Sequence, residues 1–241
     1  MAESSHWLAG RLAVVTGASH GIGRATAMAC AAAGARVILA ARDGEALDDA
    51  TRRIHDAGGE ATAVPTDVSR SSDVERLFET AEQTGPVAAL VCAAGTLTRV
   101  PLEETTCQVW EETLGTNLTG CFLCCRAAFV AMRRGGEGRI VNIASLSGIY
   151  GTEKFPGLSA YNVSKYGVVG LTEAVAVEGR EHGVTAICVS PGAVDTDMLH
   201  RAHPGLRAGL SPEDVASFIV GLLDNPMTPA SGANIPLFSN A

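Results

Sequence analysis

The sequence predicts a doubly wound α/β fold: a parallel sheet of about seven strands with helices on both faces. Short aliphatic and β-branched runs alternate with longer segments of helical period along the whole chain. The strand candidates are apolar at nearly every position, which suits a parallel sheet buried on both sides. A glycine-rich turn joins the first strand candidate to the first helix candidate.

The strand candidates fall at 12–15, 36–40, 60–64, 87–91, 139–143 and 184–189, with a weaker run at 233–237. Between them, apolar residues return at helical spacing over 23–33, 44–57, 71–82, 118–132, 159–181 and 212–223. Several boundaries carry their own chemistry. Asp43 is placed to cap the second helix, and Gly58-Gly59 ends it with residues that accept a positive φ. Ser211-Pro212-Glu213-Asp214 puts a cap, a first-turn proline and two acids at one helix start. No linker, repeat or low-complexity tract interrupts the pattern, so 1–241 is expected to be one domain.

Composition narrows the function. With 46% hydrophobic and 18% charged residues in 241, the chain supports a large core and is not a disordered segment. Eighteen Lys and Arg against 26 Asp and Glu give a net charge of −8. That balance opposes a nucleic-acid or acidic-membrane partner. No uninterrupted apolar run reaches the roughly 18 residues of a membrane span. Residues 1–7 lack the basic-then-apolar pattern of a signal peptide, so the expected compartment is the cytoplasm.

Seven cysteines, odd in number and scattered, fit no disulfide framework. Cys121-x-x-Cys124-Cys125 reads as small apolar residues of a buried helix, because no second Cys pair or nearby His completes a tetrahedral zinc site. His200 and His203 share a loop without a third ligand. No metal is expected.

The turn after the first strand reads Thr16-Gly17-Ala18-Ser19-His20-Gly21-Ile22-Gly23-Arg24. Glycines at 17, 21 and 23 permit a tight turn and a close approach of backbone N–H groups to an anion. The helix that follows presents its positive dipole end to a pyrophosphate. Gly17, Ser19, His20, Gly21, Ile22 and Gly23 are therefore nucleotide-binding candidates.

Tyr161 and Lys165, four apart, share one helix face. A phenol with a pKa of about 10 is a poor base at neutral pH, and a close ammonium favours its ionised form. Tyr161 can then exchange a proton with an alcohol or carbonyl oxygen. Ser145 lies where the fifth strand ends, on the ligand edge of such a sheet, and its hydroxyl can steady a developing charge. Ser147 is its neighbouring rival. Asn117 is a polar amide inside a helix, able to hold a water near Lys165 or to be satisfied by local carbonyls.

The spacing Gly-x-x-x-Gly-x-Gly, with Tyr161-Asn162-Val163-Ser164-Lys165, resembles the short-chain dehydrogenase/reductase family over residues 12 to about 224. The resemblance implies a Rossmann-type domain, a catalytic set of Asn117, Ser145, Tyr161 and Lys165, and a nicotinamide dinucleotide. Ala41 stands where NAD-preferring members carry Asp, and Arg42 follows, suited to pairing with a 2′-phosphate. NADP(H) is favoured over NAD(H), although His20 and Asp43 weigh against it and Arg42 could be a solvated charge. Asp67-Val68 matches the adenine-contacting pair. Cys92-Ala93-Ala94-Gly95 departs from the usual Asn-Asn-Ala-Gly, keeping Ala94 and Gly95 as cofactor contacts. Pro191, Gly192, Val194 and Thr196 match the turn under the nicotinamide, with the Val194 backbone and the Thr196 hydroxyl as carboxamide contacts. Tyr161 and Lys165 are also cofactor contacts.

The resulting expectation is an NADP(H)-dependent oxidoreductase interconverting a carbonyl and a secondary alcohol. Its substrate is a small molecule, with a thioester-linked one left open. A 3-oxoacyl-acyl-carrier-protein reductase is the specific alternative, although Val130 and Val177 stand where many such reductases carry Arg. A non-catalytic NADP sensor is the alternative of another class. The family resemblance implies a homo-tetramer assembled through helices at about 106–134 and 159–181. A substrate lid is expected at about 195–210, with Arg201 and Arg207 able to meet an anionic group, beside an enlarged loop at 150–158. The tail, ending Ile235-Pro236-Leu237-Phe238-Ser239-Asn240-Ala241, departs from the family pattern and puts its role in assembly and pocket in doubt.

Overall fold

Seven strands form one parallel sheet in a computed structural model that describes residues 6–225 and 227–239. The signal-peptide reading falls mostly on residues 1–5, and Asn240 and Ala241 end the tail; these lie outside the described residues. The strands are β1 (Leu12–Thr16), β2 (Arg36–Ala41), β3 (Glu60–Pro65), β4 (Val87–Cys92), β5 (Gly138–Ile143), β6 (Val184–Pro191) and β7 (Asn234–Leu237). Their order is β3-β2-β1-β4-β5-β6-β7. The chain therefore leaves β1 in one direction and returns to its other side at β4. Such a reversal opens a crevice at the carboxyl ends of the strands.

The helices are α1 (Gly21–Ala32), α2 (Gly44–Asp56), α3 (Ser71–Thr84), α4 (Cys107–Leu114), α5 (Gly120–Gly135), α6 (Ser159–Gly179), α7 (Asp197–Ala202) and α8 (Pro212–Asp224). The sheet's alternation divides the core between them. Ala13, Val15, Val37, Leu39, Val91, Val141 and Val189 face α1, α2 and α8. Leu12, Val14, Ile38, Leu90, Ile140 and Ala186 face α3, α5 and α6. Both sides of each central strand are buried, which is why those strands lack a polar stripe.

The predicted caps form. Asp43 accepts from the Ala46 amide at 3.0 Å, and Gly58 follows α2 at φ 83°. Ser211 and Asp214 make a reciprocal capping box at the start of α8. Hydrogen bonds from the Ser211 side chain and amide hold the Asp214 carboxyl below its ordinary range.

Two features differ from the sequence expectation. The helix expected at 118–132 begins earlier, as α4, and runs into α5 through a wide π turn, Gly115–Thr119. The combined helix, Cys107–Gly135, is long and apolar enough to cross a membrane by length and composition. Thr116, Asn117, Thr119 and Arg126 break any continuous apolar run, so the run criterion passed over it. In the fold, α5 lays Cys121, Leu123, Cys124, Cys125, Ala128 and Met132 into the core against the sheet.

Leu90 is fully buried on the central strand β4. Leu90→Ala should cost about 2–5 kcal/mol of stability, read as a lower midpoint in urea with an unchanged slope. Ser211→Ala should cost about 1 kcal/mol in the same assay.

Candidate active site

A cavity of about 910 Å³ opens along the carboxyl ends of the strands. Every site residue expected from the sequence lines it except Asn117. Its floor is built where β1 turns into α1. Gly17 has φ 68°, and a Cβ there would lie 2.7 Å from the Ala93 backbone. A Cβ on Gly23 would lie 2.2 Å from the Gly17 carbonyl oxygen. The turn, the loop after β4 and the start of α1 can meet only because these side chains are missing.

That approach leaves a cradle for an anion. His20 is the N-cap of α1, yet its side chain accepts no bond from the first-turn amides, and no acid occupies that turn. The free amides of α1 begin at Gly21, Ile22 and Gly23, all on the cavity wall. The donor set and the space fit the pyrophosphate of a dinucleotide.

Arg42 stands exposed on the cavity rim, in no ion pair among the described residues. Its neighbour Asp43 commits its carboxylate to the α2 cap. After the neighbouring strand β3, Asp67 Oδ1 accepts from the Ser69 amide at 3.0 Å and hydroxyl at 2.7 Å. The Asp67 amide in turn donates to Asp73, holding that carboxyl below its ordinary range. These bonds set the turn that carries Val68 past the cavity.

The loop Cys92-Ala93-Ala94-Gly95 is held by partners the sequence did not reveal. The Ala94 amide donates to Thr16 Oγ1 at 3.3 Å. Asn117, 1% exposed within the π turn, accepts from the Thr96 amide at 2.7 Å and donates to the Thr96 carbonyl at 2.9 Å. Its Nδ2 also donates to Ser164 Oγ on α6 at 3.0 Å. Among the described residues the side-chain amide thus clamps the Thr96 backbone and reaches α6, and it meets no carbonyl of its own helix. The π turn swings Asn117 inward, a displacement that helical periodicity cannot show.

Lys165 is 5% exposed, and its Nζ donates to the Ile143 carbonyl at 2.8 Å. It lies 5.6 Å from the centre of the Tyr161 ring and has no ion-pair partner among the described residues. Gly148 permits this packing, since a Cβ there would lie 2.6 Å from the Lys165 backbone. Ser145 is extended, and its Oγ accepts from the Ser147 amide at 3.1 Å. That bond occupies the oxygen and leaves the hydroxyl proton for another acceptor.

Pro191, Gly192 and Val194 form the far wall. Thr196 caps α7 by accepting from the Leu199 amide at 3.3 Å, and its hydroxyl donates to the Val194 carbonyl at 3.2 Å. The segment at 195–210 begins and ends at one point, because Val194 bridges Leu210 and the Asp195 amide donates to the Leu210 carbonyl at 2.9 Å. Arg99 ties this segment to the neighbouring loop, donating to the Ala202 carbonyl at 3.2 Å and the Pro156 carbonyl at 3.1 Å. Phe155 packs on His203 with ring centres 4.8 Å apart. Burial and the nearby Arg99 charge push the His203 pKa down.

His200 instead pairs with Asp195 at 2.7 Å, so the two histidines do not converge. Thr152, Glu153, Phe155 and Leu158 of the enlarged loop reach the cavity, whereas Tyr150 is 93% exposed. The tail does contribute: Ser239 lines the cavity and accepts from the Ala193 amide at 3.1 Å.

The comparisons with known proteins agree with this geometry. The family model for short chain dehydrogenase matches residues 11–206. A 3-oxoacyl-[acyl-carrier-protein] reductase of Synechocystis sp. is 38% identical over 234 residues, covering 91% of each chain. A short-chain type dehydrogenase/reductase structure from Mycobacterium marinum superposes with a TM-score of 0.90 at 31% identity, covering 96% of this chain and 95% of its own. A Beutenbergia cavernae structure, described as an NAD(P)-dependent gluconate 5-dehydrogenase with NADP at low occupancy, gives 0.88 at 35% identity, with 95% of both chains covered. With the family model spanning most of the sequence and relatives above 30% identity covered almost end to end, the chain belongs to the short-chain dehydrogenase/reductase family of oxidoreductases acting on alcohol and carbonyl groups.

Proposed function

We propose that the chain is an NADP(H)-dependent oxidoreductase that interconverts a carbonyl and a secondary alcohol. The observation that carries this reading is the buried Lys165 beside Tyr161, in no ion pair among the described residues and facing the same cavity as the anion cradle. A bound nicotinamide dinucleotide supplies or accepts the hydride. The chain supplies the rest. Tyr161 gives a proton to the substrate oxygen during reduction and takes it back during oxidation. Lys165 holds a positive charge beside the phenol, and Ser145 donates its free hydroxyl proton to the same oxygen. Ser145 is preferred to Ser147 because the Ser147 amide orients the Ser145 hydroxyl. Asn117 acts through the backbone it clamps, keeping Ala94 and Gly95 in place.

Cofactor contacts follow the cavity. The amides of Ser19, His20, Gly21, Ile22 and Gly23 would receive the pyrophosphate beside Gly17, and Asp67 and Val68 would flank the adenine. Arg42 would receive a 2′-phosphate, since Asp43 is engaged elsewhere and Ala41 offers no competing carboxylate. Pro191, Gly192, Val194 and Thr196 would frame the nicotinamide. The Thr196 proton already serves the Val194 carbonyl, so Thr196 would meet the carboxamide chiefly as an acceptor.

A homo-tetramer is part of the proposal. The outer faces of α5 and α6 expose Phe122, Val130, Val163, Tyr166 and Val177, the last 65% exposed. Such a patch favours burial against another copy. A cytoplasmic location is supported by seven free cysteines, six of them buried. The Synechocystis relative gives a thioester-linked 3-oxoacyl substrate specific standing as a second reading.

Tyr161→Phe should lower kcat by at least about a hundredfold while leaving NADPH binding intact. Near-full turnover would sink the mechanism. Arg42→Ala should weaken NADPH by about 10–100-fold and leave NADH unchanged, as read by cofactor fluorescence titration. Asn117→Ala should lower kcat and stability together, the latter by about 1–3 kcal/mol, because the Thr96 backbone loses both partners. Acetoacetyl thioesters assayed beside simple ketones separate the two substrate readings.

A further inference from the structure

Behind the wall that carries Lys165, three thiols from two elements converge. Cys92 ends β4, and Cys121 and Cys125 stand one turn apart on α5. All three are buried, and their sulfur atoms lie within 4.8 Å of one another. The sequence reading excluded a metal here because it sought a second Cys pair or a His nearby in the chain. The missing ligand arrives instead from the sheet.

A fourth donor faces the same point. Asn142 on β5, fully buried, turns its Oδ1 to Cys121 Sγ at 3.4 Å and to Cys125 Sγ at 3.3 Å. Its Nδ2 donates to Thr172 Oγ1 at 3.0 Å, and that hydroxyl donates to the Val168 carbonyl at 2.8 Å. This relay fixes which end of the amide meets the sulfurs. Outer partners that orient the inner ligands are a mark of metal sites. The dimensions also agree. Zinc–sulfur bonds of about 2.3 Å in a tetrahedron separate the sulfurs by about 3.8 Å, so closing the cluster needs movements of about 1 Å or less.

We propose that Cys92, Cys121 and Cys125, with Asn142 Oδ1, form a binding site for a thiophilic divalent d10 cation of the zinc and cadmium class. Three thiolates select such ions over hard cations. On binding, three S–H bonds release three protons, three sulfur–metal bonds form, and the ion sheds its water without changing oxidation state. The centre then carries one net negative charge. Lys165, whose Nζ is held at the Ile143 carbonyl on the same wall, supplies a positive charge to set against it. The bound ion would staple the end of β4 to α5 and β5, directly behind the loop that carries Ala94.

The test uses the full chain, reduced and stripped by chelator, in a Cys107→Ser background that removes the exposed thiol. Co(II), Cd(II) and Zn(II) are added in turn. The site predicts one retained equivalent per chain, a sulfur-to-cobalt charge-transfer band, and a Tm rise of about 5–10 °C at a hundredfold excess over Kd. Cys92→Ala and Cys125→Ala should abolish the band, while Cys30→Ala, a buried thiol in the opposite core, should keep it. Should either cluster variant fail to fold, bound Cd(II) must still shield three thiols of the background protein from a thiol reagent. No retained ion, or an unchanged band in folded Cys92→Ala, overturns the proposal.

Discussion

The site depends on how closely three stretches of backbone approach one another where the sheet reverses. Gly17 and Gly23 let the β1 turn, the start of α1 and the loop after β4 occupy space that any Cβ would fill. That contact aims the α1 amides into the cavity and brings Thr16 within reach of Ala94. Without it, the anion cradle and the loop that faces Lys165 would be separate features. Because backbone is packed on backbone, there is no flexible side chain to yield, and the geometry is set before any ligand arrives.

A second constraint joins the cradle to the Tyr161–Lys165 wall. The π turn displaces Asn117 from the outer course of its helix into the interior. There one amide holds Thr96 and reaches Ser164 on α6, the helix that carries Tyr161 and Lys165. Three elements that are distant in sequence thereby share one set of buried hydrogen bonds. In a low-dielectric interior such bonds are costly to leave unmade, so the network specifies one arrangement.

The strands, the glycine turn and the Tyr161–Lys165 pair were legible in the sequence because each is a local pattern: an apolar run, a loop spacing, a four-residue step on one helix. Asp43 and Ser211 were legible as caps for the same reason. The partners of Asn117 were not, because a π turn breaks the period from which side-chain direction is inferred. Cys92 was read only as a departure in its loop, since its neighbours come from α5. Arg99 left no signal: its carbonyl partners, Pro156 and Ala202, carry no side-chain mark in the sequence. The membrane-length helix was overlooked because interspersed polar residues conceal its average character.

The crossing at Val194 and Leu210 has a consequence for how this enzyme changes over time. It makes the intervening segment a closed loop whose ends are fixed to each other and not to its contents. Length and composition between those ends can vary at a small entropic cost, since loop closure grows only slowly with length. The sheet and the Tyr161–Lys165 wall stand outside that loop. On the proposed function, substrate range would reside in a replaceable cassette beyond Thr196, and related chains should diverge there first.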